Sequence, residues 1–265
     1  MPSRTSNFGC RAELGRIPLI KSIIVAVVKN YARISAIKEN NLLYSAFKSQ
    51  EVMKHNSGKT LTFTNAAKVI LQELKISNIP EQQGPQNLKG KLNTFAHTVK
   101  KQCIDHFTNM VKSQLTAAKS DNGTKLSLYA HIKNDYKYES YLDSNHSYKN
   151  ELSKFRLSSH WLPIERGRYA RPKIDRIKRI CIMCNKALGN EIHAMFRCTH
   201  PAIKNVTTRF LGEILDICPQ LRNFSDKDRM VYLLKGSDTN ILHPLFSWLG
   251  ECNAVYKKAY NKTTK

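Results

Sequence analysis

Cys181-Ile-Met-Cys184, followed by His193 and Cys198, gives the spacing C-x2-C-x8-H-x4-C. Zinc takes four soft or borderline ligands in a tetrahedron, and two cysteines separated by two residues supply half of them from one tight turn. A second pair a short loop later closes the site. His200 is the rival to Cys198. On a continuous helix, His193 and His200 would share a face but lie about 10 Å apart along the axis. Zinc ligand atoms must all sit about 2.0–2.3 Å from one metal. His200 also precedes Pro201, which biases it towards an extended or capping conformation. The expected ligands are therefore Cys181, Cys184, His193 and Cys198, with Cys198 on a turn. Since protein fills all four positions, the expected zinc is structural, with no position open to water.

Ser158, Ser159, His160 and Glu165 contain the residue types of a hydrolase relay. Adjacency along the chain is not relay geometry, which is assembled from separate elements. No nucleophile elbow, phosphate-binding glycine loop or metal-hydrolase motif accompanies them, so catalysis is not expected.

From Lys154 to Arg179 there are nine Lys or Arg residues against Glu165 and Asp175. His160, Trp161 and Tyr169 are interleaved with them. Arg166, Arg168 and Arg171 flank Gly167 and Tyr169, which places guanidinium forks beside a ring that can stack. Planar cations next to aromatic rings suit single-stranded or structured RNA. The alternative is a solvated charged loop over a helical core. The candidate nucleic-acid contacts are Arg156, His160, Arg166, Arg168, Tyr169, Arg171, Lys178 and Arg179.

Residues 152–169 read LSKFRLSSHWLPIERGRY, then RICIMC follows at 179–184 and EIHAMFRC at 191–198. This succession resembles the region after the polymerase in animal non-LTR (LINE-type) retrotransposon proteins. Those proteins carry a segment like KFRLSSHxLxIExGRY, followed by a Cys-Cys-His-Cys site. Residues 10–19, CRAELGRIPL, resemble the RAELGRxPL segment at the end of the polymerase portion. Residues 40–140 match only in pattern. The resemblance implies binding of template RNA or target DNA during target-primed reverse transcription. It carries the zinc ligands to Cys181, Cys184, His193 and Cys198, and the basic motif to Arg156, His160, Glu165, Gly167, Arg168 and Tyr169.

The polymerase of that family holds two metal ions with aspartates in an aromatic-Ala-Asp-Asp turn. This chain has no Asp-Asp pair, and no acidic cluster suited to an endonuclease or RNase H. The expectation is a non-catalytic carboxy-terminal fragment that binds RNA or single-stranded DNA, or duplex target DNA, with no small-molecule substrate. The alternative is a zinc-stapled helical module for protein–protein interaction.

The elements around these residues read as helices. Ile20, Ile23, Ile24, Val27, Val28, Tyr31 and Ile34 form one apolar stripe between Pro18 and Ile37. Leu42, Leu43, Ala46 and Phe47 suggest a second helix. Thr64 reads as the N-cap of a third, with Ala67, Ile70, Leu71 and Leu74 buried. The stretch 80–85 breaks the pattern. A long helix carries Leu88, Leu92, Phe95, Val99, Cys103, Phe107 and Met110. Asp121-Asn-Gly123 ends it. Tyr129, Tyr136, Tyr138, Tyr141 and Tyr148 then read as amphipathic core residues, or else as rings for stacking on bases. Beyond Pro201, one helix carries Val206, Phe210, Ile214 and Ile217. Another starts after Pro244 and carries Leu245, Leu249, Cys252 and Tyr256.

Strand alternation is weak throughout, so the expected class is all-α, helical bundle-like regions with a small zinc-knuckle insert. The expected parts are residues 1–80, a helical end of the polymerase portion; 81–150, the long helix and tyrosines; 151–200, the basic segment with the zinc site; and 201–265, the carboxy-terminal helices. A net charge of +23 over 265 residues favours a polyanionic partner, because Lys and Arg that neutralise phosphates release counterions. The charge is spread: 22 basic and 10 acidic residues in 1–150 give +12, and 21 basic and 10 acidic in 151–265 give +11. Seven cysteines, four of them scattered singly, suit a reducing compartment. The most apolar run, Ile23 to Val28, is too short to span a bilayer. A nuclear or cytoplasmic location is expected.

Overall fold

The computed structural model describes residues 6–37, 41–53, 62–80, 88–120, 124–133 and 135–263. The protein is all-α: among these residues the only β pairing is two isolated antiparallel bridges, Leu14 with Tyr138 and Ile180 with Leu188. No helix among them is long and apolar enough to cross a membrane. All seven cysteines are free. The chain divides into two compact units, Ile17–Met110 and Met1–Arg16 with Val111–Lys265. The expected breaks at 81–85 and 121–123 lie outside the described residues.

In the Ile17–Met110 unit, α2 (Ile20–Ser35), α3 (Leu42–Val52), α4 (Phe63–Glu73) and the first part of α5 (Leu88–Ser120) enclose one core. Val28, Tyr31, Phe47, Leu71, Phe95 and Val99 fill it. The stripe expected on α2 is only partly used, because Ile20 and Ile23 at its first turn remain exposed. Thr62, not Thr64, caps α4. Thr62 has the extended backbone a cap requires, and its hydroxyl accepts from the amide of Asn65. Thr64 is already inside the helix and buried.

The second unit begins with α1 (Asn7–Glu13), capped by Ser6, and includes the end of α5. It continues through α6 (Ser127–Ile132), α7 (Lys149–Arg156), α8 (Pro163–Arg166), α9 (Pro201–Ile217), α10 (Asp226–Lys235) and α11 (Thr239–Thr263). Helices α9 and α11 pack side by side. Phe210 stacks on Trp248 with ring centres 5.5 Å apart, and the Trp248 indole N–H donates to the Thr207 hydroxyl at 3.1 Å. Helix α11 starts before Pro244 because the Asp238 carboxylate accepts from the amide of Asn240 at 2.9 Å. That side-chain cap fixes the start, and Pro244 lies inside the helix. Of the tyrosines, Tyr129 and Tyr141 are fully buried, whereas Tyr138 and Tyr148 are exposed.

One ionic node holds α1, α7 and α10 together. Arg156, 1% exposed, places Nη2 3.0 Å from carboxylates of both Glu13 and Glu139. Its Nη1 donates to the carbonyls of Leu234 and Lys235 at 2.6 and 3.0 Å. These are carbonyls of the last turn of α10, where the helix dipole favours a cation. The Tyr141 hydroxyl joins the node by donating to Glu13 and meeting Ser153 at 2.9 Å.

Candidate metal centre

The Cys181–Cys184 turn is a short hairpin. The Cys181 amide donates to Ala187 at 2.8 Å, and the Asn185 amide donates back to Cys181 at 2.9 Å. Asn185 takes the left-handed conformation, φ 54°, that closes the turn; asparagine tolerates it better than most residues. The Ile180–Leu188 bridge seals the base. The chain then reverses at Asn190, whose side chain accepts from the His193 amide at 2.9 Å. One wide helical turn, His193–Arg197, follows and ends at an extended Cys198. The four-residue spacing between His193 and Cys198 is thus bridged by a turn. His200 caps α9 instead, its ring accepting from the amide of Ala202 at 3.3 Å.

These turns bring the ligand atoms of Cys181, Cys184, His193 and Cys198 within 4.8 Å of one another. Cys181 Sγ lies 3.9 Å from Cys198 Sγ, and Cys184 Sγ lies 3.3 Å from His193 Nε2. A tetrahedral zinc with ordinary bond lengths requires roughly 3.8 Å between sulfurs and roughly 3.5 Å between sulfur and nitrogen. The set could therefore hold a metal ion such as zinc. Three of the four residues are buried, and Cys184 is half-buried. The Cys198 thiol, the Tyr256 hydroxyl and the amides of Cys184 and Met183 all point at the Cys181 sulfur. The hydrogen bond from Cys198 is the largest influence, and together they hold the Cys181 thiol well below its ordinary range in spite of burial.

The basic segment divides between interior and surface. Arg156 belongs to the ionic node. His160 is buried, with Nδ1 accepting from the Leu162 amide at 3.3 Å and Nε2 2.9 Å from Glu191. Arg179 is buried too, donating to the carbonyls of Ile164 at 2.8 Å and Ile174 at 3.0 Å. These three side chains are buried and hold the fold, and Arg179 also reaches the wall of an open cleft. A cation or ring in mixed company is drawn inside when carboxylates or backbone carbonyls wait for it, and those partners lie too far along the chain to be read locally. Arg168 and Tyr169 are half-buried: Arg168 pairs with Glu165 at 2.9 Å, and the Tyr169 hydroxyl accepts from Lys125 at 3.1 Å. Arg166, Arg171 and Lys178 are exposed, as are Lys173 and Arg176.

Gly167 is required by this arrangement. A β-carbon there would stand 2.7 Å from the Arg179 side chain, which crosses over it. No Ser–His–acid relay forms from Ser158, Ser159, His160 and Glu165. Both His160 ring nitrogens are engaged elsewhere, and Glu165 pairs with Lys125 and Arg168. Sequence reasoning missed Glu191 as the His160 partner, and Tyr256 and Tyr260 as neighbours of the site. Tyr256 lies on an apolar helical stripe, where nothing local marks its hydroxyl for a sulfur. No family model matches this chain, and neither curated proteins nor solved structures give a significant match.

Proposed function

We propose that the chain is a non-catalytic nucleic-acid-binding module, of the kind that follows the polymerase in LINE-type retrotransposon proteins, with a structural zinc on Cys181, Cys184, His193 and Cys198. One observation carries this reading: the exposed cations of residues 166–178 sit on a loop tied directly to the metal hairpin. The Ile174 amide donates to Gly167 at 3.1 Å, and the Gly189 amide donates to Arg179 at 2.9 Å. Arg166, Arg171, Lys173, Arg176 and Lys178 therefore hang from a rigid base. Metal here fixes the loop, and the loop presents charge to phosphates. The partner is RNA or single-stranded DNA, with duplex target DNA as the competing ligand.

A zinc-stapled protein-interaction module is the second reading. It is favoured by Leu19, Leu42, Val52 and Met53, apolar side chains left exposed in the Ile17–Met110 unit. Elemental analysis of the purified chain, with binding to single-stranded RNA, single-stranded DNA and duplex DNA at two salt concentrations, separates the two. The nucleic-acid reading expects one zinc and binding that falls steeply with salt. Salt-insensitive or absent binding to all three rejects it.

A further inference from the structure

Between α8, the basic loop and the end of α11 lies an open cleft of about 570 Å³, within the range of small-ligand sites, about 300–1,000 Å³. Pro163, Ile174, Ile180 and Ile182 give it apolar walls, and Arg166, Lys178 and Arg179 line it with positive charge. Among the described residues no carboxylate lines it. Burial pushes the Tyr260 hydroxyl up to about 12, so that ring brings no negative charge either. The Arg166 guanidinium lies 3.8 Å from the centre of the Tyr260 ring. At that distance the planar guanidinium lies against the ring at the cleft. Arg179 is fixed by its two carbonyl partners, Ile164 and Ile174.

An apolar slot with a planar cation, and no anion among its described lining residues, suits a flat, weakly polar ring attached to a phosphate. We propose that this cleft takes one unpaired base of a single strand, stacked on the Arg166 plate that Tyr260 backs, with the adjoining phosphate at Lys178. This rests on the nucleic-acid reading and sharpens it. It makes binding depend on bases as well as phosphates, and it favours single strands, since a paired base cannot enter. Arginine planes are established stacking surfaces for unpaired bases. The loop is thereby assigned two parts: Arg171, Lys173 and Arg176 meet the backbone, and the cleft meets a base.

The test compares an oligodeoxythymidylate with an abasic strand of the same length and charge, on the full chain. Wild-type protein should bind the intact strand tighter by roughly fivefold or more, the scale of one stacked base. Arg166→Lys keeps the charge and removes the plane, so it should erase that ratio while leaving the salt dependence unchanged. Ala170→Trp, which fills the cleft, should do the same, and circular dichroism should show both variants folded. Equal binding of the two strands by wild type, or a ratio that survives in Arg166→Lys, overturns the cleft and leaves the nucleic-acid reading standing. Binding of neither strand overturns the cleft, and the nucleic-acid reading falls with it only where RNA and duplex DNA also fail to bind.

Discussion

The hydroxyl of Tyr256 on α11 lies 3.5 Å from the sulfur of Cys181, which is 75 positions earlier in the chain. Tyr256 is fully buried, and burial pushes its hydroxyl well above the ordinary range, so it stays a donor. A metal-bound thiolate needs such donors, because they disperse its charge and fix its direction. Tyr256→Phe keeps the ring and its packing and removes only the donor. The variant should stay folded and bind zinc about 10- to 100-fold more weakly, measured by competition with a chromophoric chelator. Unchanged affinity would show that the hydroxyl only fills space.

Metal loss should loosen one unit and spare the other. Cys181 and Cys198 belong to the same core as Trp248, Leu249 and Tyr256, so the Cys-Cys-His-Cys cluster is continuous with the packing of α9 and α11. Purified protein should hold one zinc. Cys184→Ser should release it and speed amide exchange across residues 176–200 and the facing turns of α11, while α2 to α4 keep their protection. Acidification should release the metal as well, because thiolates must be deprotonated to bind. Full zinc content in a Cys181→Ser/Cys184→Ser double variant would remove the ligand assignment.

Arg156 should matter for stability and not for binding. Removing one partner of a buried ion pair leaves the other charge uncompensated, at a cost of about 3–5 kcal/mol. Arg156→Ala would strand Glu13 and also strip two α10 carbonyls of their donor. Its urea midpoint should fall accordingly, whereas Lys173→Glu on the exposed loop should change stability by no more than about 0.5 kcal/mol. Similar midpoints for the two variants would contradict the structural role of Arg156.

Charge reversal should distinguish a site from a diffuse polycation. Arg171, Arg176 and Lys178 are exposed on the loop beside the metal hairpin, and Lys89, Lys100 and Lys101 are exposed on α5. Changing either trio to Glu alters the net charge by the same amount, so bulk electrostatics predicts equal losses. The loop trio should weaken RNA binding more. It should also flatten the salt dependence by about 0.7 for each phosphate of a single strand that is no longer neutralised. Equal losses would mean no defined surface.

The protein should neither extend a primer nor cut DNA with Mg²⁺ or Mn²⁺ present. Two-metal phosphoryl chemistry needs carboxylates free to hold both ions. Asp226 and Asp228, an acidic pair only two residues apart, have structural work to do. Asp226 pairs with Arg197 at 2.7 Å, and Asp228 accepts from the capping Ser225 at 2.6 Å. Metal-dependent extension that copurifies with the chain and vanishes in Asp226→Asn/Asp228→Asn would refute the non-catalytic reading.

The metal cluster and the helical class were legible in the sequence because both depend on local spacing. Cys181 and Cys184 are joined by one turn, His193 and Cys198 by another, and proline after His200 turns that ring into a cap. Apolar residues at intervals of three and four likewise mark α2, α5 and α9 without knowledge of what they pack against. Charge excess is a sum and needs no fold at all. What the sequence could not assign was which cations face water. Arg156 and Arg171 look equivalent as residues in a basic run, yet Arg156 is drawn inside by Glu13 and Glu139, which lie far from it along the chain. Arg179 goes inward because α8 offers it a carbonyl, and Gly167 is small because that side chain must cross it. Tyr256 and Tyr260 become neighbours of Cys181 and of Arg166 only when α11 folds back onto the site. Burial and pairing of polar groups are decided by distant partners, so only the tertiary structure separates the cations that hold this fold from those it presents.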